Sequence, residues 1–153
     1  MAKKVTSKSP SDLISVELSA RRTGMSFQRT RMSADRTLMS VIRTALSLIG
    51  FGFTIYQVFE KARDKALITS GAAPRNFGIA LVLLGIGMLV IGIIYHMQFM
   101  MGLRTERQDM AASGLVHAES RFPLSYTLIV AVLLLVIGIA AIVSMVFQVG
   151  PFD

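Results

Sequence analysis

The chain contains no cysteine and no tryptophan. Without cysteine there is no disulfide, no thiol nucleophile and no thiolate-bound metal. Charge is also scarce: 16% of the residues are Asp, Glu, Lys or Arg, against roughly a quarter in an ordinary soluble domain. What charge there is leans one way, with sixteen basic residues against nine acidic ones and a net charge of +7. None of the acids falls in the long apolar stretches, so a carboxylate-driven proton carrier has no residue to work with. Glycine-rich phosphate loops and nucleophile–base constellations are missing too. His96 and His117 are separated by a loop and accompanied by no acid cluster, which leaves no metal site. His96, at a helix end beside Tyr95, reads as an interface residue rather than a proton relay. The expectation is a protein that is not an enzyme and carries neither cofactor nor metal.

What the chain has in quantity is apolar residues, 53% of the total. They gather into three runs, at residues 37–59, 77–101 and 126–149. Each meets the ~20 apolar residues needed to cross a hydrocarbon core. The first holds one charge, Arg43, and the other two hold none. The sequence therefore predicts an all-α integral membrane protein. Three transmembrane helices make a domain over residues 22–149, with a cytoplasmic N-terminal tail over 1–21 and a short C-terminal tail over 150–153. The spans are preceded by a basic amphipathic N-terminal helix. Ser9-Pro10-Ser11-Asp12 reads as its start, with Ser9 as N-cap, Pro10 in the first helical position and Asp12 closing a capping box.

No apolar run follows the N-terminal lysines, so a secretory signal is not expected, and Asp12 and Glu17 are out of place in an acid-poor transit peptide. Eight basic residues precede the first span, four lie at 60–76 and three at 102–125. With three spans the first and last of these groups share a side, eleven basic residues against four. The bias toward basic cytoplasmic segments places the N-terminus in the cytoplasm and the C-terminus outside the cell inner membrane. The basic arm is expected to meet anionic lipid headgroups, at roughly 1 kcal/mol per basic residue near the surface, and not nucleic acid. The loop after the first span is broken by Gly71 and Pro74, and Pro123 and Pro151 flank the third. Tyr56, Tyr95 and Tyr126 near span ends suit the membrane interface.

The most informative stretch is residues 22–49, four heptads on one template: RTGMSFQ, RTRMSAD, RTLMSVI, RTALSLI. At about 100° per residue, if arginine defines 0°, serine falls near 40°, threonine near 100° and the Met/Leu position near 300°. One arc is therefore polar in all four repeats. The opposite arc is polar early (Gly24, Gln28, Arg31, Asp35) and apolar later (Val41, Ile42, Ala45, Leu48, Ile49). The helix passes from surface to membrane while keeping a polar face of Arg36, Ser40, Arg43, Thr44 and Ser47. An arginine at the middle of a transmembrane helix costs roughly 2.5–3.5 kcal/mol. Two readings of Arg43 stand. It snorkels to lipid phosphates about two turns away, or it lines an internal polar pathway, which the adjoining hydroxyls favour. Arg22, Arg29 and Arg31 are assigned to surface contact with lipid. A voltage sensor needs several charges in the span, and there is one.

Small residues recur on helical spacing as Gly78, Gly85 and Gly92, and as Ala131, Gly138 and Ala141. Such residues let helices approach closely in lipid. They serve either an interface between copies in a homo-oligomer or packing within one three-helix bundle.

The stretch Asp35-Arg36-Thr37-Leu38-Met39-Ser40-Val41-Ile42-Arg43-Thr44 resembles the signature of the YidH-like inner-membrane proteins, domain of unknown function 202. That domain also forms the membrane part of the vacuolar transporter chaperone, which makes and translocates polyphosphate. Asp35 stands where Glu is common, and Val41 where Trp is usual. The resemblance implies three spans over about residues 29–149, assembly into an oligomer, and a basic path for a phosphate-rich anion such as polyphosphate. Arg36 would then sit at the cytoplasmic mouth, with Ser40, Arg43 and Ser47 facing inward. Gln98, after Tyr95-His96-Met97, stands where the chaperone has a further basic residue, which weakens the likeness to a conducting path. No polymerase domain is expected beside the spans.

Overall fold

The computed structural model describes residues 10–65, 72–112 and 125–147. They form three helices: α1 (Ser11–Asp64), α2 (Ala72–Ala112) and α3 (Tyr126–Phe147). All three contain a window long and apolar enough to cross a membrane, as the sequence predicts. The chain is an all-α, multi-pass membrane protein. α3, with 22 residues, matches one bilayer crossing. α1 and α2, with 54 and 41 residues, are longer than the ~20 residues a crossing takes. The extra length is helix, not loop.

The helix expected ahead of the first span is not a separate element. Residues 11–36 belong to α1, and helical hydrogen bonding continues through residues 33–35. α1 begins one residue later than the sequence suggests. Pro10 lies just outside it and its carbonyl accepts the first bond, from the amide of Ile14 at 3.2 Å. Proline suits this place because its missing N–H has no intrahelical acceptor to lose. Ser9, read as the N-cap, lies outside the described residues. Pro74 is also displaced from its expected role. It does not break the loop but sits in the first turn of α2, where its fixed φ favours the helix. Pro123 and Pro151 lie outside the described residues.

The chain divides into two compact units, Arg36–His96 with Leu124–Asp153, and Met1–Asp35 with Met97–Pro123. The first unit holds the apolar bundle. α1 buries Leu38, Ile42, Ala45, Ile49, Gly52 and Tyr56 there. α2 buries Gly78, Val82, Gly85, Leu89, Ile93 and His96, and α3 buries Ala131, Leu134, Gly138, Ala141, Ser144 and Met145. The α1 spacing of four, three, four, three, four is the 3.5-residue period of left-handed helix packing. Leu38, Ile42 and Ala45 meet Leu89, Ile93, Ala131 and Leu134 in one cluster. Ile49, Tyr56, Val82 and Met145 form a second.

Lipid tails are as apolar as leucine, so the hydrophobic effect does not hold such a bundle together. Close packing and interhelical hydrogen bonds do. Both are visible. At Gly52 and Gly78 the α1 and α2 backbones come together so tightly that a Cβ on Gly52 would lie 2.6 Å from the Gly78 carbonyl oxygen. A Cβ on Gly85 would meet Ile49 at 2.8 Å, one on Gly92 would meet Val41 at 2.7 Å, and one on Gly138 would meet Ile49 and Ile86 at 3.1 and 3.2 Å. The small residues thus pack within the bundle. Gly50 and Gly87 are different, since a Cβ added at either would have nothing within 4 Å. Gly50→Ala is therefore expected to leave the fold intact and to raise its stability by about 0.4–1 kcal/mol through reduced unfolded-state freedom, read as a higher melting temperature by far-UV circular dichroism in detergent.

Tyr56 is not an interface residue. It is buried, and its hydroxyl donates to the Met145 carbonyl oxygen at 2.6 Å. Tyr95 and Tyr126 are exposed. His96, by contrast, is buried.

In the other unit, Phe27 of α1 and Leu103 of α2 are buried. Arg21 pairs with Glu17 at 2.8 Å. This unit brings together the segment before the first span and the segment after the second, which the three-span reading places on one side.

Candidate functional site: the arginine face of α1

Within the bundle unit, Arg36, Ser40, Arg43 and Ser47 are all exposed, as are Thr44, Gly50 and Thr54. Helical spacing puts Arg36 and Arg43 roughly opposite the buried Leu38, Ala45 and Ile49. One side of α1 packs on α2 and α3, and the other carries guanidiniums, hydroxyls and a bare glycine outward. Within a single copy of the chain, then, the face expected to be internal lies on the outside of its bundle.

Three of the hydroxyls on this face are accounted for by their own helix. Thr44 donates to the Ser40 carbonyl at 3.1 Å, Ser47 to Arg43 at 3.0 Å and Thr54 to Gly50 at 2.8 Å. Thr23 and Thr30 do the same to Ser19 and Ser26 in the other unit. Bonding back by one turn is how serine and threonine satisfy themselves in a helix. These hydroxyls therefore add nothing to the case for an inward polar path, contrary to the expectation from their place in the heptads. The arginines are another matter. Among the described residues, no ion pair engages Arg22, Arg29, Arg36 or Arg43, whereas Arg21 pairs with Glu17 and Arg63 with Glu60. The unmet demand on this face is for negative charge, and guanidinium geometry suits an oxyanion that can accept two parallel N–H bonds.

Arg31 is half-buried and Arg22 and Arg29 are exposed, in the unit outside the bundle. Gly78, Gly85, Gly92 and Gly138 belong to the bundle interior and not to this face. Among the described residues there is no cluster of three or more metal-ligating His, Asp or Glu side chains, and His117 lies outside them. Two residues of structural weight escape sequence reasoning. Gly52 pairs with Gly78, and its signal is that it continues the Ala45, Ile49 spacing. Tyr56 ties α1 to α3, and its signal is the same row, four residues further on.

No curated protein matches this chain, and no solved structure does. One family model does: the domain of unknown function DUF202 matches residues 21–102, more than half of the chain and all of the arginine face. The first two apolar spans and the Arg-Thr heptads on α1 lie within that match, and α3 lies beyond it: the chain belongs to the DUF202 family of YidH-like membrane proteins.

Proposed function

We propose that this protein is a non-enzymatic membrane protein whose α1 face, Arg36, Ser40, Arg43 and Ser47, binds phosphate groups. The observation that carries this reading is a pair of exposed arginines seven residues apart at the start of a span, neither with an ion-pair partner among the described residues. Two heptad-spaced guanidiniums lie about 10 Å apart along a helix. Leaving Arg43 bare in hydrocarbon costs roughly 2.5–3.5 kcal/mol, so the face calls for a counter-anion. In a homo-oligomer, several copies would turn these faces together and make a basic path for a phosphate-rich anion. Polyphosphate is the ligand suggested by the resemblance to the vacuolar transporter chaperone.

The second reading is a non-conducting accessory or lipid-organising subunit in which the same arginines clamp lipid phosphates. Its support is the outward direction of the face on a single copy, together with the Thr44 and Ser47 hydroxyls, which are already satisfied. In both readings the protein sits in the cell inner membrane with its N-terminus cytoplasmic, on the strength of eleven basic residues against four.

The purified full chain, reconstituted in neutral-lipid vesicles, tests this with pyrophosphate binding and anion flux, alongside retention of anionic lipid. Arg43→Gln is expected to reduce phosphate binding at least about tenfold, the effect of losing ~1.4 kcal/mol, and to abolish any flux. Flux in the parent protein assigns the face to a pathway. Lipid retention through the same arginines without flux assigns it to a lipid clamp. Arg36→Gln and Arg43→Gln proteins that bind pyrophosphate and anionic lipid as the parent does would sink both.

A further inference from the structure

One hydroxyl on the arginine face behaves differently from its neighbours. Thr44, Ser47 and Thr54 each donate to a carbonyl one turn back, whereas the Ser40 hydroxyl forms no hydrogen bond among the described residues. Ser40 lies four residues after Arg36 and three before Arg43, the two spacings at which helical side chains are neighbours. Two guanidiniums without ion-pair partners among the described residues, and a hydroxyl without an acceptor, therefore stand on one exposed line. The tilt of helical side chains toward the N-terminus carries Arg43 back over Ser40. In water such a cluster of donors is satisfied by solvent. At the start of a span water runs out, and the nearest oxyanions are the phosphates of the leaflet that α1 enters.

Below this cluster the surface of α1 changes character. With Arg43 at 0°, Gly50 falls near 340° and Ser47 near 40°, flanked by Leu46 near 300° and Phe51 near 80°. Leu46 and Phe51 are 55% and 62% exposed. Between these two large side chains lie only a serine and a glycine, and a Cβ added at Gly50 would have nothing within 4 Å. The Ser47 hydroxyl is bonded to the Arg43 carbonyl, so the floor of this trough asks for no polar partner. A hydrocarbon chain lies there without stranding a hydrogen-bonding group. The ten residues from Ser40 to Gly50 rise about 15 Å, half of a ~30 Å hydrocarbon core and hence the depth of one leaflet. α3, by contrast, carries no charged residue and turns Leu133, Val136 and Ile137 outward, a surface for lipid of any headgroup.

We propose that Arg36, Ser40 and Arg43 hold the phosphate of one net-anionic phospholipid, and that the trough over Ser47 and Gly50, between Leu46 and Phe51, seats one of its acyl chains. The inference rests on the phosphate-binding reading of this face and names its ligand as a lipid. The headgroup is net-anionic because a choline-type head sets a cation of its own beside two guanidiniums. Phosphate at the mouth gives Arg43 a counter-anion where it enters the span. The acyl chain adds packing contacts that a soluble phosphate lacks. Gly50 is then a specificity residue, distinguishing a lipid phosphate from a free one.

The chain lacks tryptophan, so a single introduced indole reports the lipid beside it. Phe51→Trp places the indole on the wall of the trough. Ile137→Trp places it on α3 beside Gly138, which packs against Ile49, at a comparable depth and facing bulk lipid. Each full-length protein is reconstituted in phosphatidylcholine vesicles containing a minor fraction of phosphatidylglycerol, with bromine on the acyl chains of one lipid or the other. Quenching then gives the relative affinity of the two lipids at each position. Phosphatidylglycerol is expected to be preferred at least about tenfold at Phe51→Trp, equivalent to ~1.4 kcal/mol, and not at Ile137→Trp. Adding Arg43→Gln to Phe51→Trp is expected to remove the preference. Adding Gly50→Leu, which fills the trough without touching the packed side of α1, is expected to remove it too, while pyrophosphate binding stays at the parent level. Gly50→Ala is expected to fall between.

A preference at Phe51→Trp no greater than at Ile137→Trp overturns the site. A preference that survives Gly50→Leu overturns the acyl seat. The inference and the proposed function fail separately. Pyrophosphate binding that depends on Arg43, with no lipid preference at Phe51→Trp, defeats this inference alone. Pyrophosphate binding and lipid preference both indifferent to Arg36 and Arg43 defeat the proposed function, and this inference with it.

Discussion

Replacing Gly78 with alanine is expected to cost the bundle about 1–3 kcal/mol, and replacing it with leucine to prevent stable folding. The added Cβ would lie 2.7 Å from the Gly52 carbonyl oxygen and 3.1 Å from the Tyr56 amide nitrogen. Both are backbone atoms of α1, so no rotamer change relieves the contact and α1 and α2 must separate. Gly52→Ala meets the Gly78 carbonyl and the Leu81 Cβ at 2.6 and 2.9 Å and is expected to behave the same way. Separation is costly because lipid supplies no hydrophobic drive to hold the helices together. The lost van der Waals contacts around Val82 and Tyr56 are the binding force itself. The measurement is the midpoint of thermal unfolding of detergent-solubilised protein by far-UV circular dichroism, which needs neither tryptophan nor a thiol. Gly50→Ala, on the open side of the same helix, is the matched comparison. If Gly78→Ala and Gly50→Ala melt together, the close approach of α1 and α2 is not a source of stability.

The second large effect belongs to Tyr56. Its hydroxyl reaches the carbonyl of Met145 in the last turn of α3, where carbonyls run out of intrahelical partners. In a bilayer interior an unmet carbonyl has no water to turn to. Tyr56→Phe keeps the ring and removes the donor, leaving a buried acceptor unsatisfied at a cost of about 1–3 kcal/mol. Tyr56→Leu should cost more, since the phenyl ring also fills the cluster with Ile49, Val82 and Met145. The ordering parent, then Phe, then Leu in melting temperature checks the assignment. A phenylalanine variant as stable as the parent would mean that the hydrogen bond contributes nothing net.

These two sites show why part of the fold is legible in the sequence and part is not. Helix type and span number follow from apolar length, because a bilayer admits only segments that satisfy their own backbone. The rotation of α1 is legible too. Seven-residue repetition by itself sets arginine against Leu38, Ala45 and Ile49. Gly78, Gly85 and Gly92 are legible as close-packing residues but not as to partner, because a glycine surface looks alike whether it meets a helix of its own chain or of another. Only the positions of Gly52, Ile49 and Val41 against them decide that they pack inside the bundle. Tyr56 is misplaced by sequence reasoning because an aromatic near a span end suits the interface, and the acceptor that draws it inward lies 89 residues away in sequence.

The candidate site divides the same way. Sequence alone determined that Arg36, Ser40, Arg43 and Ser47 share one face, since helical geometry is local. It also determined that one arginine enters a span, since apolar length marks the bilayer. Tertiary structure decided that this face is turned away from the chain's own bundle. That is a matter of what lies across from a side chain in space. A heptad specifies a direction around the helix axis, and only the packing of α2 and α3 on the opposite side establishes what that direction faces.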